Sequence, residues 1–230
     1  MSRVAIVTGG ASGMGLATVE RLRAQGVEVT SFDVAGDDPV DVADEAAVSS
    51  AVATVRRRHG PVDIVVNCAG VGCGGRLGTP EYRTQWERSL AVNLTGAMLV
   101  VGACIDDLTA SGRGRVVNVA STEALSAQRA TGPYTVAKHG LLGFTRSLAV
   151  EYGRTGMTAN CVCPGATDTP MVRVLPSEHR AEFARRHVPL GRYGTADEIA
   201  YMIVALTDRQ ASFVNGAAIV VDGGMLAEGR

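Results

Sequence analysis

Tyr134 and Lys138 stand four residues apart in "TGPYTVAKHG". In a helix that spacing stacks a phenol and an ammonium on one face. Free tyrosine ionises near pH 10, too high for a base at neutral pH. An ammonium about 4 Å away favours the phenolate by about 4 kcal/mol at an effective dielectric near 20, roughly a thousandfold. A tyrosine so placed exchanges a proton with an alcohol or ketone near pH 7. Ser121 ends the apolar run "GRVVNVAS", 13 residues before Tyr134. Beside the pair, its hydroxyl donates a hydrogen bond to the same oxygen as charge develops there. Without a partner cofactor, the pair would be no more than the boundary of an amphipathic helix.

The rest of the chain supplies the frame. Short β-branched runs ("RVAIVTG", "VEVTSFD", "VDIVVNCAG", "GRVVNVAS", "MTANCVCPG", "AAIVVDGG") alternate with helical patterns, including about Trp86 to Leu108 and about Tyr134 to Tyr152. Strands apolar on both faces belong to a parallel sheet covered by helices, which predicts an α/β, doubly wound, Rossmann-type fold of about seven strands. The whole chain, 1–230, reads as one domain, with a substrate-covering lid around 170–195. Only "VAGDDP" separates Asp33 from Val40, too little for a crossover helix, so the helix after the second strand is expected to be missing. A third strand is expected just before "DVAD".

Ligands in such folds sit beyond the carboxyl ends of the strands. After the first strand, "TGGASGMG" holds Gly9, Ser12, Gly13, Met14 and Gly15 at the start of a helix, where backbone approaches a pyrophosphate closely. Asp33, about 20 residues further on, is placed to hold the hydroxyl pair of an adenosine ribose. Asp41, followed by Val42, turns toward the adenine or caps the next helix; Asp44 reads as a cap. Asn67, Ala69 and Gly70 end the next strand with small residues that leave room for a flat ligand. "CPGATDTP" contributes Pro164, Gly165 and the hydroxyls of Thr167 and Thr169.

These motifs together resemble the short-chain dehydrogenase/reductase family, across the whole chain: TGxxxGxG at Thr8–Gly15, N-x-A-G at Asn67–Gly70, Asn93 in "AVNLTG", Ser121, YxxxK at Tyr134–Lys138, Pro164–Gly165, "PLGRYGTADEIA" and "VDGG". The resemblance implies an NAD(P)-dependent oxidoreductase that interconverts a secondary alcohol and a ketone. It implies Ser121, Tyr134 and Lys138 as catalytic, Lys138 also holding the nicotinamide ribose, and Asn93 ordering a water in a proton relay. It also implies a homotetramer. Two departures stand out: the shortened link after the second strand, and Thr167 where the family usually carries an aliphatic residue. The competing readings are a lyase of the same fold that has lost redox chemistry and a nucleotide sensor without turnover. The intact glycines and the Ser121–Tyr134–Lys138 set argue against both. Asp33 without a neighbouring cation favours NAD as the cofactor.

Composition narrows the partners. Lys+Arg 22 against Asp+Glu 23 leaves no basic excess for nucleic acid. The apolar runs look too broken for a membrane span, and nothing in the opening residues reads as a secretion signal, so a cytoplasmic protein with no membrane partner is expected. Cys68, Cys73, Cys104, Cys161 and Cys163 have no metal-ligand spacing and read as reduced thiols, with no metal site. The lid carries Arg173, Arg180, Arg185 and Arg186. They read as a solvated helix face, with attraction of an acidic substrate as the alternative. Glu123, Gln128 and Met171 are the candidate pocket liners for a small alcohol or ketone.

Overall fold

In the computed structural model, which describes residues 2–227, six strands form one parallel sheet. They are β1 (Val4–Thr8), β2 (Glu28–Phe32), β3 (Ile64–Asn67), β4 (Arg115–Val119), β5 (Thr158–Pro164) and β8 (Ala218–Val221), in the order β2-β1-β3-β4-β5-β8. A separate two-stranded pairing joins β6 (Thr167–Asp168) to β7 (Gly194–Thr195).

Alternate residues of each strand face opposite layers, and both layers are apolar. Ala5, Val7, Ile64, Val66 and Val117 pack with Val19 and Leu22 of α1 (Gly13–Ala24) and with Ile199, Ile203 and Val204 of α8 (Ala196–Thr207). Ile6, Val65 and Val116 pack on the other side. Their partners are Val48, Val52 and Val55 of α2 (Glu45–His59) and Val100, Cys104 and Leu108 of α4 (Gly96–Ala110). Each such valine, leucine or isoleucine stabilises the fold by about 1.5–3 kcal/mol. The third helix on that side is α5 (Gly132–Tyr152).

The sheet has six strands where about seven were expected. From Asp33 to Asp44 the chain is a loop, closed at its base by Val40 N–H on the Asp33 carbonyl at 2.7 Å. The helix is absent, as expected, but so is the strand before "DVAD". Pro39 removes a ladder donor and five aspartates crowd the segment, all poor strand formers. Asp44 caps α2 instead, accepting from the N–H groups of Ala46 and Ala47. β2 is therefore the edge of the sheet.

The helix expected from about Trp86 runs continuously over Tyr82–Ala110 as α3 (Tyr82–Leu90), a π-turn at Ala91–Thr95, and α4. By length and composition this helix is apolar enough to cross a membrane, contrary to the reading of the runs as too broken. Its Val100, Val101, Cys104 and Leu108 are buried against the sheet, the placement of a core helix. The segment expected to be a lid contains two short helices, α6 (Pro170–Arg173) and α7 (Ser177–His187).

Candidate active site

The strand order reverses at β1, which lies between β2 and β3, so a crevice opens beyond the ends of β1 and β3. Thr8 closes its floor: its hydroxyl accepts from the N–H groups of Cys68 and Ala69, both at 3.0 Å. A Cβ on Gly9 would lie 2.8 Å from the Ala69 backbone, and one on Gly15 would lie 2.0 Å from the Gly9 carbonyl oxygen. Only glycine lets the loop fold this tightly against β3 and the first turn of α1. Ser12 precedes α1 but its side chain makes no capping bond, and no acidic residue occupies the first turn. The helix terminus thus presents its N–H groups to an incoming anion, and the residues fit a dinucleotide pyrophosphate.

A cavity of about 560 Å³ fills the crevice. It is lined by Gly9, Ser12, Gly13, Met14, Gly15, Asp33, Asp41, Val42, Ala69, Gly70, Tyr134, Lys138, Thr169 and Met171, all expected from the sequence. Asp33 is fixed: Oδ2 accepts from Ala11 N–H and Oδ1 from Ala35 N–H, each at 3.0 Å. Asp41 accepts from Ala43 N–H at 2.9 Å and does not cap α2.

Four expected cofactor residues do not line the cavity. Asn67 is buried and donates to Asn118 Oδ1 at 2.8 Å, linking the ends of β3 and β4. Pro164 ends β5, and Gly165 is small for another reason: a Cβ there would lie 2.6 Å from Asp222 Cβ. The Thr167 hydroxyl turns back to the Gly165 carbonyl at 3.0 Å. Reasoning from sequence also missed Arg88, Ala91 and Val92, which line the cavity from α3 and the π-turn. Their spacing of three and four residues on the helix that carries Asn93 was the available signal.

Asn93 is buried, and its side chain is fully used by protein groups. Oδ1 accepts from Val71 N–H, and Nδ2 donates to the Val71 carbonyl, both at 3.0 Å, and to Ser89 Oγ at 3.2 Å. A Cβ on Gly70 would lie 2.9 Å from that Oδ1. The π-turn around Asn93 marks a break in the regular helix.

Lys138 is buried, and its Nζ donates to the Val119 carbonyl at 2.9 Å. It lies 5.5 Å from the centre of the Tyr134 ring. Burial pulls the lysine down to about 8. Burial also pushes the Tyr134 phenol up to about 12; a hydrogen bond with Ser121 opposes that rise and the charge of Glu123 adds to it. The expected lowering of Tyr134 is thus reversed in the protein alone, because desolvation of the buried phenol dominates. Ser121 Oγ accepts from Glu123 N–H at 3.1 Å. A hydroxyl that accepts from the backbone keeps its own hydrogen for another partner.

Of the candidate pocket liners, Met171 reaches the cavity; Glu123 and Gln128 do not line it. The lid arginines are not a row of free cations. Arg173 and Arg180 both bind Asp168, at 3.1 and 2.8 Å, Arg186 binds Glu182 at 2.5 Å, and Arg185 is exposed. All five cysteines are free thiols.

Comparison with known proteins gives the same picture. A family profile described as enoyl-(acyl carrier protein) reductase matches residues 9–226. The chain is 36% identical over 252 residues to 2-(R)-hydroxypropyl-CoM dehydrogenase of Xanthobacter autotrophicus, covering 99% of this chain and 100% of that one. Levodione reductase superposes with a TM-score of 0.91 at 33% identity, covering 99% of this chain and 98% of that one. Ligand-free aldohexose dehydrogenase of Thermoplasma acidophilum superposes with a TM-score of 0.94 at 28% identity, covering 99% and 95%. With the glycine cradle, the tyrosine and the lysine at one crevice, and Ser121 hydrogen-bonded to that tyrosine, the chain belongs to the short-chain dehydrogenase/reductase family, oxidoreductases that use a nicotinamide cofactor.

Proposed function

We propose that the protein is an NAD-dependent dehydrogenase/reductase that interconverts a secondary alcohol and a ketone, with Tyr134 as the general acid and base. The observation that carries this reading is the convergence of Tyr134 and Lys138 on the cavity whose floor is the glycine loop. Gly9–Gly15 and the start of α1 would hold the pyrophosphate, Asp33 the adenosine ribose, and Lys138 the nicotinamide ribose. A bound nicotinamide supplies the hydride donor or acceptor and, when oxidised, a positive charge beside the phenol.

In the reductive direction Tyr134 gives its proton to the substrate oxygen, and Ser121 donates a hydrogen bond to that oxygen as it gains charge. In the oxidative direction the phenolate takes the hydroxyl proton back. A phenol pushed up to about 12 is a competent donor across the neutral range. The relatives named above act on a hydroxypropyl compound, levodione and aldohexoses, all hydroxyl or carbonyl compounds, which supports this substrate class. The test is a panel of secondary alcohols and ketones followed by the absorbance of the reduced nicotinamide. Turnover of at least one pair is expected; cofactor binding with no turnover of any would overturn the reading.

A further inference from the structure

Glu123 is a carboxylate with only 6% of its surface exposed. Buried glutamates are ordinarily paired with a cation. Among the described residues no Lys, Arg or His forms an ion pair with this one. Its side chain instead takes a single hydrogen bond, from the Thr135 hydroxyl to Oε2. Thr135 is the residue after Tyr134 on α5. At its other end the same residue reaches Ser121. The single turn Thr122–Ala124 begins at Ser121, and the Glu123 N–H donates to Ser121 Oγ at 3.1 Å.

We propose that Glu123 is a positioning residue for the reaction: its main chain orients the Ser121 hydroxyl while its carboxylate grips the helix turn that carries Tyr134. Ser121 and Tyr134 must meet one substrate oxygen, yet they come from different elements, the turn after β4 and the helix α5. Glu123 is the covalently short link between them, two residues from one and hydrogen-bonded to the neighbour of the other. The bond into Ser121 Oγ occupies a lone pair, so the serine hydrogen is left for the substrate. Displacement of a reacting group by about 1 Å can cost 10²-fold in rate, so a tether of this kind has a kinetic consequence. It also places a negative charge near the phenol, and that charge adds to the rise in the Tyr134 value. The other charged or titratable groups acting there are Cys68 from the end of β3 and Lys138 from α5 itself; His139 is exposed and turned to the Thr135 carbonyl.

The inference rests on the reaction proposed above, and two measurements separate its failure from the failure of that reading. The first is kinetic. Glu123→Ala and Thr135→Val should each lower kcat about tenfold while the dissociation constant of the cofactor stays at the parent value. Thr135→Ser, which keeps the hydroxyl, should restore kcat. Glu123→Gln keeps an acceptor for Thr135 but removes the charge. It should retain more of kcat than Glu123→Ala and move the pH limb governed by Tyr134 to lower pH, because the phenolate no longer faces an anion. The second measurement is a double-mutant cycle of Glu123→Ala and Thr135→Val in unfolding, which needs no activity; non-additive losses are expected. Additive losses would show that no tether exists. Parental kcat in Glu123→Ala and Thr135→Val, with the cycle non-additive, would leave a purely structural bond and overturn the proposal. A parent that turns over no alcohol or ketone would sink the reaction itself, and the positioning role with it.

Discussion

The Lys138 ammonium donates to the Val119 carbonyl across 2.9 Å, so the helix that carries Tyr134 is fastened to the end of β4, two residues before Ser121. The bond fixes the lysine in a dry site, where burial pulls it down to about 8 from 10.5. Between these values the unfolded chain holds a proton that the folded chain has released. Stability must therefore rise with pH across about 8 to 10.5, as the cost of burying a charged lysine disappears. The difference in unfolding free energy between the parent and Lys138→Met should shift by about 3 kcal/mol over that window, in favour of the parent at the alkaline end. Denaturant melts of both proteins at pH 7 and pH 10.5 measure it. A constant difference would show that Lys138 is not held in the dry site.

Tyr134→Phe removes the phenolic proton donor from a residue that lines the cavity and keeps the ring. Turnover should fall by about 10² or more with the cofactor affinity retained. Steady-state kinetics and a cofactor titration check the two halves. A rate within a factor of a few of the parent would remove Tyr134 from the chemistry.

Much of the site is legible in the sequence because it depends on local backbone. Gly15 is demanded by the Gly9 carbonyl of its own loop, and Tyr134 and Lys138 share a face by helical spacing alone. What was not legible depends on distant partners. Gly165 is small because Asp222 packs on it from just beyond β8, and the Thr167 hydroxyl is consumed by a neighbouring carbonyl. The stretch around the expected third strand has apolar residues at Val40 and Val42, but Val42 packs under Gly96 and the chain there stays a loop. The sign of the Tyr134 shift turned on burial, which no spacing of residues reveals.

One carboxylate joins the two short helices of the expected lid. Asp168 on β6 binds Arg173 from α6 and Arg180 from α7. Asp168→Asn should loosen both short helices at once. Limited trypsin digestion should then cut faster between residues 173 and 190, and the KM for substrate should rise about threefold, since Met171 closes the cavity from the same segment. Unchanged cutting and an unchanged KM would mean the lid is held by its apolar contacts alone.

The outer faces of α4 and α5 expose apolar side chains: Met98 is 42% accessible, Val136 43% and Val150 85%. The inner faces already meet the sheet, so a second surface remains for another copy. A homotetramer is the expected assembly. Light scattering at micromolar concentration should return about four times the chain mass of 23.8 kDa, and a monomeric mass would refute it.

NAD should be preferred over NADP. Asp33 lines the cavity with both carboxylate oxygens already anchored, by Ala11 N–H and Ala35 N–H, so it cannot swing away from a ligand. Its remaining lone pairs can receive the two hydroxyls of an adenosine ribose, while a phosphate on that ribose would meet a fixed negative charge. Relief is not at hand. Asp37, Asp38 and Asp41 follow in the same loop, the glycine loop has no basic residue, and the cations that line the cavity are Arg88 on α3 and Lys138, which is bound to Val119. The ratio of kcat/KM for the two cofactors should favour NAD by about a hundredfold, as a fixed charge at ribose distance implies. Asp33→Asn should narrow that ratio from both sides, weakening the ribose contact and removing the repulsion, while its amide oxygen can still accept from the glycine loop. Asp33→Ala should narrow it as well but also free the Ala11 N–H and loosen the loop. Equal values for the two cofactors in the parent, or a preference for NADP, would show that the ribose does not sit on Asp33.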